Sequence, residues 1–494
     1  MTVTDTGASA PPETAAAPAP RPHWIDDWRP EEPEFWENGG RQVARRNLVW
    51  SIFAEHLGFS VWLIWSVSSA FLLQMGFTFT PQQLFLLVAL PNLVGSLLRL
   101  PYTFAVPRFG GRNWTMISAA LLLVPTLLFA VAVQNPDTPY WAFCLIAATA
   151  GFGGGNFASS MANINFFYPA AQKGAALGLN AAGGNLGVSI IQLLLPVMVG
   201  GAGIFGLVKA SEGGIHLQTA GYVYAGLAVL AFIAAYLWMD NLTGATSKPR
   251  EQLQVVRKPH TWIMAFLYIG TFGSFIGYSA AMPLLIKLNF WVPEPAPLGT
   301  GIYFAYYAFL GAGVGSVMRP LGGWLADKYG GAKITLIAFG GLVVFTLAVL
   351  VTLMQLEPNP AADPAIASDN QSLFPWFLGF FLLIFACTGV GNGSAYKMIP
   401  AIWRRDAEAA TEAGTPARTA AIMAATKQAS AALGVIGAAG ALGGFLIPIA
   451  FSSPWVDDPL SATKGAFVVF TAYYVVCALV TYAVYLRRSA VVGV

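Results

Sequence analysis

The feature that most constrains this chain is a pair of arginines inside long apolar stretches. Arg99 ends the phrase GSLLR at residues 95–99, and Arg319 ends the phrase GSVMR at residues 315–319, 220 positions further on. An arginine keeps its charge, so burying one in lipid costs about 3 kcal/mol on insertion scales and more in simulations. Two arginines in repeat-related positions therefore predict a central pocket for an anion.

The composition indicates a polytopic membrane protein. Of the 494 residues 56% are hydrophobic and only 10% are charged, whereas soluble domains have about 25% charged residues. The three cysteines all lie in apolar runs, which argues against a disulfide framework. The basic residues lie in predicted loops rather than in one patch, so no nucleic-acid partner is expected, and the lipid bilayer is.

Apolar windows of about 20 residues predict twelve membrane spans. The first six lie at 48–73, 84–105, 114–134, 139–163, 175–199 and 220–239. The second six lie at 261–287, 300–325, 333–355, 374–398, 420–450 and 465–486. The resulting organisation is a tail and interfacial segment at 1–47, a six-helix half at 48–240, a polar linker at 241–260, a second half at 261–488 and a short tail at 489–494.

The distribution of lysine and arginine predicts the orientation. Nearly all of these residues fall in the tail, the linker and the loops on one side, while the opposite loops hold only Lys209 and Lys464 beside several acids. The positive-inside rule then places both termini and the linker in the cytoplasm. No cleavable signal peptide is expected, because residues 1–22 are rich in Ala, Pro and Thr and look disordered. Residues 23–46 are interpreted as an interfacial lead-in, with a plain tail as the alternative.

The two halves repeat. Residues 95–111 align without gaps on 315–331, and the sequence GGGN at 153–156 matches GVGN at 389–392. Parallel six-helix repeats, with the site at the midplane between them, are the plan of a major facilitator transporter. The predicted fold class is therefore an all-α membrane protein with twelve transmembrane helices in two pseudo-symmetric six-helix halves, the major facilitator fold.

The second copy of the repeat contains a candidate conformational latch. Residues 323–331 (GWLADKYGG) resemble the cytoplasmic signature between spans two and three of major facilitator proteins. Its Asp327 can accept from a neighbouring helix N-terminus or from an arginine. The first copy has Pro107 at the equivalent position, so the latch is expected on one side only.

Few acids are available to neutralise the two arginines. The candidates are Glu55 early in the first span, Asp240 at a span end and Asp327 at a turn. The alternative in which each arginine pairs with a buried acid is disfavoured, because Glu55 can neutralise at most one. An unpaired buried charge is expensive, so a bound anion is the expected partner of Arg99 and Arg319.

Three asparagines lie in or beside glycine-rich stretches. Asn156 and Asn163 follow the glycines of residues 151–155, and Asn392 lies in GNGS at 391–394. The glycines themselves are explained by close helix packing. Amides in a membrane interior need partners, and their N–H groups can supplement two guanidiniums around oxyanion oxygens. Asn163 and Asn392 are predicted to line the site, and Asn156 is a weaker candidate.

These stretches resemble a known family. The segments GFGGGNFASSMANINFFYP and GVGNGSAYKMIP look like the paired signatures of the nitrate/nitrite porter family, the NarK-type branch of the major facilitator superfamily. The context of both arginines and the segment from His260 to Phe275 are also similar. The resemblance runs from about residue 36 to residue 488; the long N-terminal tail departs from shorter members of the family.

The resemblance implies the ligand and its contacts. It implies that Arg99 and Arg319 clamp a nitrate or nitrite anion from the two halves, that Asn163 and Tyr268 hydrogen-bond it, and that Phe272 stacks against it. Nitrate is flat and delocalised, which suits guanidinium forks and an aromatic face. Tyr268 and Phe272, spaced i and i+4, share one face of the seventh span; the alternative is that both only pack helices.

The expected mechanism is exchange of nitrate and nitrite by alternating access, in a multi-pass protein of the cell (inner) membrane. The main alternative is a proton-coupled nitrate symporter that uses Glu55 or His56, the only acid–histidine pair well inside a span. A substrate-sensing receptor is a weaker alternative. An enzyme is not expected, because no HExxH, CxxC or paired catalytic carboxylate pattern appears, and neither a metal nor a cofactor is expected. The oligomeric state stays open, a monomer included.

Overall fold

The computed structural model describes residues 22–245, 253–292, 300–358, 364–453 and 458–487. Most of the predicted N-terminal tail, the middle of the predicted linker and the predicted C-terminal tail at 489–494 lie outside these residues. The described chain is almost entirely helical, as apolar segments must be when lipid offers no partner for the backbone. Helices are grouped below into spans 1 to 12.

The helices of the first half are, in chain order, span 1 (Arg41–Trp62 and Ile64–Leu72), span 2 (Pro81–Thr103), span 3 (Gly111–Leu121 and Leu123–Ala132), span 4 (Tyr140–Thr149 and Gly151–Phe167), span 5 (Ala170–Met198) and span 6 (Gln218–Trp238). Short helical segments outside these spans are Pro33–Phe35, Trp36–Gly40, Leu73–Met75, Ala105–Phe109 and Ile204–Gly206.

The helices of the second half are span 7 (Pro259–Tyr268, a π-helical turn Ile269–Gly273, and Ser274–Phe290), span 8 (Ala308–Tyr329), span 9 (Gly331–Met354), span 10 (Pro364–Ala409), span 11 (Pro416–Ala441 and Gly443–Phe451) and span 12 (Pro459–Thr481, with a π-helical turn Tyr482–Leu486). Short 3₁₀ segments lie at Leu253–Arg257 and Phe304–Tyr306.

The predicted number of spans is confirmed. Eleven helical stretches of the described chain are long and apolar enough to cross a membrane. The twelfth is span 8, which has the required length of 22 residues but is less apolar, because Arg319, Pro320 and several glycines interrupt it. It packs against spans 5, 7 and 10 inside the bundle. A hydropathy criterion therefore overlooks span 8, although span 2, which carries the other buried arginine, meets it.

Burial differs strongly between spans. Of the most apolar part of span 7, 94% is buried in protein, against 28% for span 12. Spans 1 and 7 therefore form the centre of the bundle, and spans such as 9 and 12 form its periphery. Large apolar side chains of the peripheral spans, among them Val351 and Leu479, are exposed, as expected for a surface that faces lipid.

The repeat is visible in matched contacts between helices. A Cβ atom on Gly151 of span 4 would lie 2.7 Å from the backbone nitrogen of Gly95 in span 2. In the second half, a Cβ atom on Gly389 of span 10 would lie 2.3 Å from the carbonyl oxygen of Gly315 in span 8. Only glycine allows this approach. The equivalent glycines Gly95 and Gly315 of the arginine-bearing helices are thus both approached closely by the neighbouring helix, although Gly151 and Gly389 are not aligned with each other in the repeat.

Both described ends of the chain lie on one face, here called the terminal face. The strand Trp24–Ile25 pairs in parallel with Asn241–Leu242, which follows span 6, and His260 bonds the Tyr485 hydroxyl at the end of span 12. The opposite face, here called the distal face, carries the antiparallel pair formed by Trp291–Val292 and Thr300–Gly301.

The segment before span 1 is folded against the protein. The Trp28 indole donates to the Phe166 carbonyl at the end of span 4, and the Glu31 carboxylate accepts from the backbone nitrogen of Ala170 at the start of span 5. Trp36 is buried and packs edge-on against Tyr168. The lead-in segment thus covers the turn between spans 4 and 5 on the terminal face.

Candidate anion-binding site

Arg99 is fully buried near the terminal-face end of span 2. Its Nε donates to the Gly154 carbonyl of span 4 at 3.1 Å, and its Nη1 donates to the Gly437 carbonyl of span 11 at 3.0 Å. The third guanidinium nitrogen, Nη2, has no hydrogen-bond partner among the described residues. Arg99 therefore links the two halves and keeps one buried donor free.

Arg319 occupies the repeat-related place in span 8 and is 6% exposed. Its guanidinium carbon lies 5.7 Å from the centre of the Phe157 ring and 5.6 Å from that of Tyr396. Its Nη1 has no partner within the described chain. No carboxylate of the described residues lies within 4.0 Å of either buried arginine, so the ion-pair alternative finds no support there.

Phe157 of span 4 brings the two arginines together. The Arg99 guanidinium carbon lies 4.8 Å from the centre of this ring, so the carbons of the two arginines are no more than about 10.5 Å apart. Phe272 stacks on Phe157 at 6.3 Å and lies 4.9 Å from the Arg99 guanidinium. Aromatic faces attract cations, so the rings position two like charges, neither of which forms an ion pair with a carboxylate of the described residues.

Span 7 contributes Tyr268 and Phe272 from the place where its helix changes geometry. The π-helical turn Ile269–Gly273 follows Tyr268 directly, and such turns in α-helices are frequent at functional sites. The two rings stack at 5.5 Å. The Tyr268 hydroxyl donates to Oδ1 of Asn392 at 2.8 Å, and Asn392 Nδ2 has no partner among described residues.

Small residues of span 11 allow the halves to approach at this level. A Cβ atom on Gly440 would lie 2.4 Å from the Tyr268 ring, and one on Gly434 would lie 2.9 Å from the Thr103 hydroxyl. Gly437, between them, exposes the carbonyl that Arg99 binds. Span 11 therefore presents a surface of small residues against which spans 2 and 7 pack closely.

A cavity of about 730 Å³, counted to its open mouth, leads from the terminal face to Arg99 and to the Phe157 ring that Arg319 also contacts. Arg99, Phe157 and Tyr396 line its deep end, while Pro107 and Phe166 line the part near the terminal face. Access to the site in this structure is therefore from the terminal face.

Toward the distal face the two halves are in contact. Gln192 of span 5 donates to the Ser279 carbonyl of span 7 at 2.6 Å. The Phe71 ring packs edge-on against Phe304 at 5.0 Å, and Lys287 donates to the Ala70 carbonyl. These contacts between the halves thus close the path to the arginines on the distal side.

The other predicted asparagines do not join the pair of arginines. Asn163 lies nine residues beyond Gly154, the Arg99 partner, which is about 13 Å along a helix. Its side chain contacts Gly111 at the start of span 3, where a Cβ atom would lie only 1.8 Å from Asn163 Oδ1. Asn156 accepts from Ser159 in its own helix. In this conformation Asn163 faces span 3 rather than the cavity.

Sequence reasoning missed Asn185, Phe157 and Tyr396. Asn185 of span 5 is fully buried, and neither its Oδ1 nor its Nδ2 has a partner among the described residues. It lies one helical turn from Ser189, whose hydroxyl donates to the Phe309 carbonyl of span 8, so it faces the helix that carries Arg319. The available signal was the sequence Gly183-Gly184-Asn185, which matches Gly154-Gly155-Asn156.

The side chains of Glu55 and His56 form hydrogen bonds with different partners. The Glu55 Oε2 accepts from the Ser160 hydroxyl and, at 2.7 Å, from Asn180 Nδ2. Its Oε1 has no partner within the described chain. His56 Nδ1 donates to the Gly183 carbonyl at 3.1 Å. The carboxyl group is therefore fully buried inside the first half, whereas the histidine is tied to the backbone.

Asp327 binds a different partner from the one expected. Its carboxylate accepts from the Lys397 ammonium of span 10 at 2.8 Å. Both residues belong to the second half and are exposed on the terminal face, so in this conformation the ion pair does not connect the halves. A latching role for Asp327 stays a prediction for the opposite conformation.

Comparison with known proteins agrees with this architecture. The model of the Major Facilitator Superfamily matches residues 51–448. Among solved structures, the D-xylose-proton symporter superposes with a TM-score of 0.58 at 15% identity, covering 88% of this chain and 96% of that one. The inward open xylose transporter XylE from E. coli gives a TM-score of 0.57 at 14% identity, covering 88% and 94%. At such identities the likeness concerns the fold alone.

Sequence relatives indicate which group within the Major Facilitator Superfamily this chain resembles. The nitrate/nitrite transporter NarU of Escherichia coli (strain K12) is 40% identical over 472 residues, which are 94% of this chain and 96% of the relative. The probable nitrate/nitrite antiporter NarK2 of Thermus thermophilus is 38% identical over 393 residues, covering 77% and 83%. Fold and comparisons together define a membrane transporter rather than an enzyme. The chain belongs to the nitrate/nitrite transporter family of the Major Facilitator Superfamily.

Proposed function

We propose that this protein exchanges nitrate and nitrite across the cell membrane by alternating access. The observation that carries the proposal is the pair Arg99 and Arg319, one from each half. Both are buried against the ring of Phe157, which lines the closed end of the cavity, and neither forms an ion pair with a carboxylate of the described residues. A buried cation without a partner is costly, and a small anion between the halves removes that cost. The names of the relatives indicate which anions to test.

The free donors around Phe157 suit a planar oxyanion. Arg99 Nη2, Arg319 Nη1 and Asn392 Nδ2 all lack partners among the described residues, and charge-assisted hydrogen bonds to oxyanions are the strong ones. The stacked rings of Phe157 and Phe272 supply an aromatic wall. Tyr268 fixes the Asn392 amide by donating to its oxygen, which leaves the N–H groups to face a ligand.

The repulsion between the arginines provides a reason for obligatory exchange. At no more than about 10.5 Å, two positive charges repel by at least about 1.6 kcal/mol at an effective dielectric constant of about 20. Closing the halves around the pair increases this repulsion unless an anion lies between them. The loaded carrier therefore crosses more readily than the unloaded one, which gives antiport without a protonatable residue.

Counterflow in proteoliposomes tests the exchange. Vesicles loaded with nitrate should release it rapidly when nitrite or nitrate is added outside, and slowly into buffer that contains neither. Rapid release into anion-free buffer refutes obligatory exchange, and the absence of nitrate movement under every gradient refutes the substrate assignment.

We also propose that the terminal face is cytoplasmic, in the inner membrane of a bacterial cell. Lysines and arginines are concentrated there, for example Arg404 and Arg405 near the end of span 10, whereas the predicted loops of the opposite side hold only Lys209 and Lys464, of which Lys464 lies in the first turns of span 12. The cavity that leads to Arg99 would then open to the cytoplasm. Single cysteines placed at residues 209 and 405 of a cysteine-free variant should react with an impermeant maleimide from outside the cell only at residue 209.

A proton-coupled nitrate symporter is the second candidate, and Glu55 is the observation in its favour. A fully buried carboxyl group with one oxygen lacking a partner among the described residues can carry a proton at low cost. Under this alternative a pH gradient drives nitrate accumulation, and Glu55→Gln abolishes that accumulation. Under exchange, Glu55→Gln leaves counterflow in place and the pH gradient drives nothing.

A further inference from the structure

Lys287 is a buried cation that the central site does not use. It lies in the last turn of span 7, toward the distal face, and is 3% exposed. Its ammonium lies 4.6 Å from the centre of the Trp291 ring and 5.6 Å from that of Phe304. No carboxylate of the described residues forms an ion pair with it. An ammonium in such surroundings needs a strong acceptor.

That acceptor belongs to the other half of the protein. The Lys287 ammonium donates to the carbonyl of Ala70 in the last turn of span 1. Carbonyls at a helix C-terminus are free of intrahelical partners and carry partial negative charge, so they attract cations. Since spans 1 and 7 belong to different halves, this contact must break whenever the distal side opens.

Two further buried donors lie beside this contact. The Tyr303 hydroxyl, next to Phe304 in the chain, lies beside the side chain of Gln74, one helical turn beyond Ala70. Tyr303 is 4% exposed, and apart from this mutual contact neither its hydroxyl nor the Gln74 amide has a hydrogen-bond partner among the described residues. The amide and the phenol thus flank the Lys287 contact: Gln74 follows Ala70 by one helical turn, and Tyr303 precedes Phe304, whose ring lies 5.6 Å from the ammonium. None of the three side chains forms an ion pair with a carboxylate of the described chain.

We propose that Lys287, Gln74 and Tyr303 form a second anion-binding site at the distal mouth of the transport path. In the closed state the Ala70 carbonyl accepts from the ammonium. In the open state a small oxyanion of the substrate class takes the place of the carbonyl and accepts from all three donors. Anion and carbonyl compete for one ammonium, so anion binding at this site favours the open distal gate.

The inference rests on the proposed transport of nitrate and nitrite, and sided kinetics test it. Exchange rates are measured in right-side-out and inverted membrane vesicles that contain the full-length protein, with the nitrate concentration varied on one face at a time. Lys287→Gln should raise the KM for nitrate on the distal face by about three- to fivefold, the upper end of what one charged contact at a water-exposed site contributes. The KM on the terminal face should change by less than about twofold, and Lys287→Arg should retain the distal KM.

The sign of the effect separates an anion site from a simple latch. If Lys287 only holds the gate closed, Lys287→Gln makes the distal-open state more populated and lowers the distal KM. A lowered or unchanged distal KM therefore overturns the proposal. If wild-type vesicles show no nitrate–nitrite exchange, the proposed function itself is refuted. If exchange occurs and the distal KM of the Lys287→Gln variant is unchanged, only the second site is refuted.

A milder pair of variants keeps the test valid if Lys287→Gln fails to fold. Tyr303→Phe keeps the ring but removes the hydroxyl, and it should raise the distal KM by about two- to threefold. Tyr306→Phe is the matched control, because Tyr306 belongs to the same short segment but is less buried. Equal KM values for the two variants count against the site.

Discussion

Replacing Arg319 by lysine isolates the role of a guanidinium fork in the central site. Arg319→Lys keeps the positive charge and most of the apolar stem, so the electrostatic field is nearly unchanged. The side chain lies against the rings of Phe157 and Tyr396 and has a free Nη1 within the described chain. What the variant loses is the planar pair of donors that can bind two oxygens of one anion.

The expected magnitude follows from that loss. A hydrogen bond to a charged group contributes about 1.5–3 kcal/mol, which corresponds to about 10- to 150-fold in affinity. The contacts of the guanidinium with the two rings are largely retained by an ammonium. Nitrate affinity should therefore fall by about 10- to 150-fold, while the melting temperature of the detergent-solubilised protein stays within about 3 °C of wild type.

Titration calorimetry with nitrate measures the affinity, and Arg112→Lys is the matched control. Arg112 is also a poorly exposed arginine, but it donates to the Tyr236 carbonyl at the end of span 6, away from the cavity, so its variant should bind nitrate normally. Arg99→Lys should weaken binding and also perturb the contact between halves, since Arg99 donates to Gly437. Wild-type nitrate affinity in both Arg99→Lys and Arg319→Lys would refute the proposal that the two guanidiniums clamp the anion.

Three further predictions concern the surroundings of the clamp. Phe157→Leu removes the ring that both guanidiniums contact and should weaken nitrate binding about 5- to 30-fold, the sum of two cation–π contacts; calorimetry showing less than a twofold change would contradict this. Asn185→Leu should weaken binding at least about fivefold, whereas Asn163→Leu should not; the reverse order in the same titration would restore Asn163 to the site. Gly440→Ala places a methyl group 2.4 Å from the Tyr268 ring and should destabilise the protein by about 1–3 kcal/mol. The measurement is the melting temperature, which should fall. An unchanged melting temperature would show that span 11 and Tyr268 can move apart to accommodate the methyl group.

Sequence reasoning predicted the large-scale organisation because the bilayer imposes it. Twelve apolar segments and a repeated phrase are one-dimensional signals, and a lipid environment allows few arrangements of them. The same reasoning identified Arg99 and Arg319, because a charge inside a span is an anomaly in any fold. Tyr268, Phe272 and Asn392 were assigned from family resemblance and from the cost of buried amides, and the structure places them in one cluster with Arg99.

The assignment of Asn163 stays a prediction, and it shows what such reasoning leaves undecided. Asn163 and Asn185 are both amides in apolar helices that contain adjacent glycines, so the composition of these helices does not separate them. The difference lies in the direction of each side chain, which depends on helix rotation and on the packing partner. Asn163 meets Gly111 of span 3, whereas Asn185 faces the helix that carries Arg319. A periodicity within one helix does not reveal which neighbour that helix meets.

The sequence by itself determined that this chain spans a membrane twelve times, that its halves repeat and that two charged side chains lie inside its spans, because hydropathy and charge depend on residue type alone. Only the tertiary structure decided how the charges are held. Phe157 lies against both guanidiniums, the Gly437 carbonyl binds Arg99 across the halves, and Lys287 binds the Ala70 carbonyl at the distal closure. These contacts join residues from different helices, and their geometry is fixed by packing rather than by spacing along the chain.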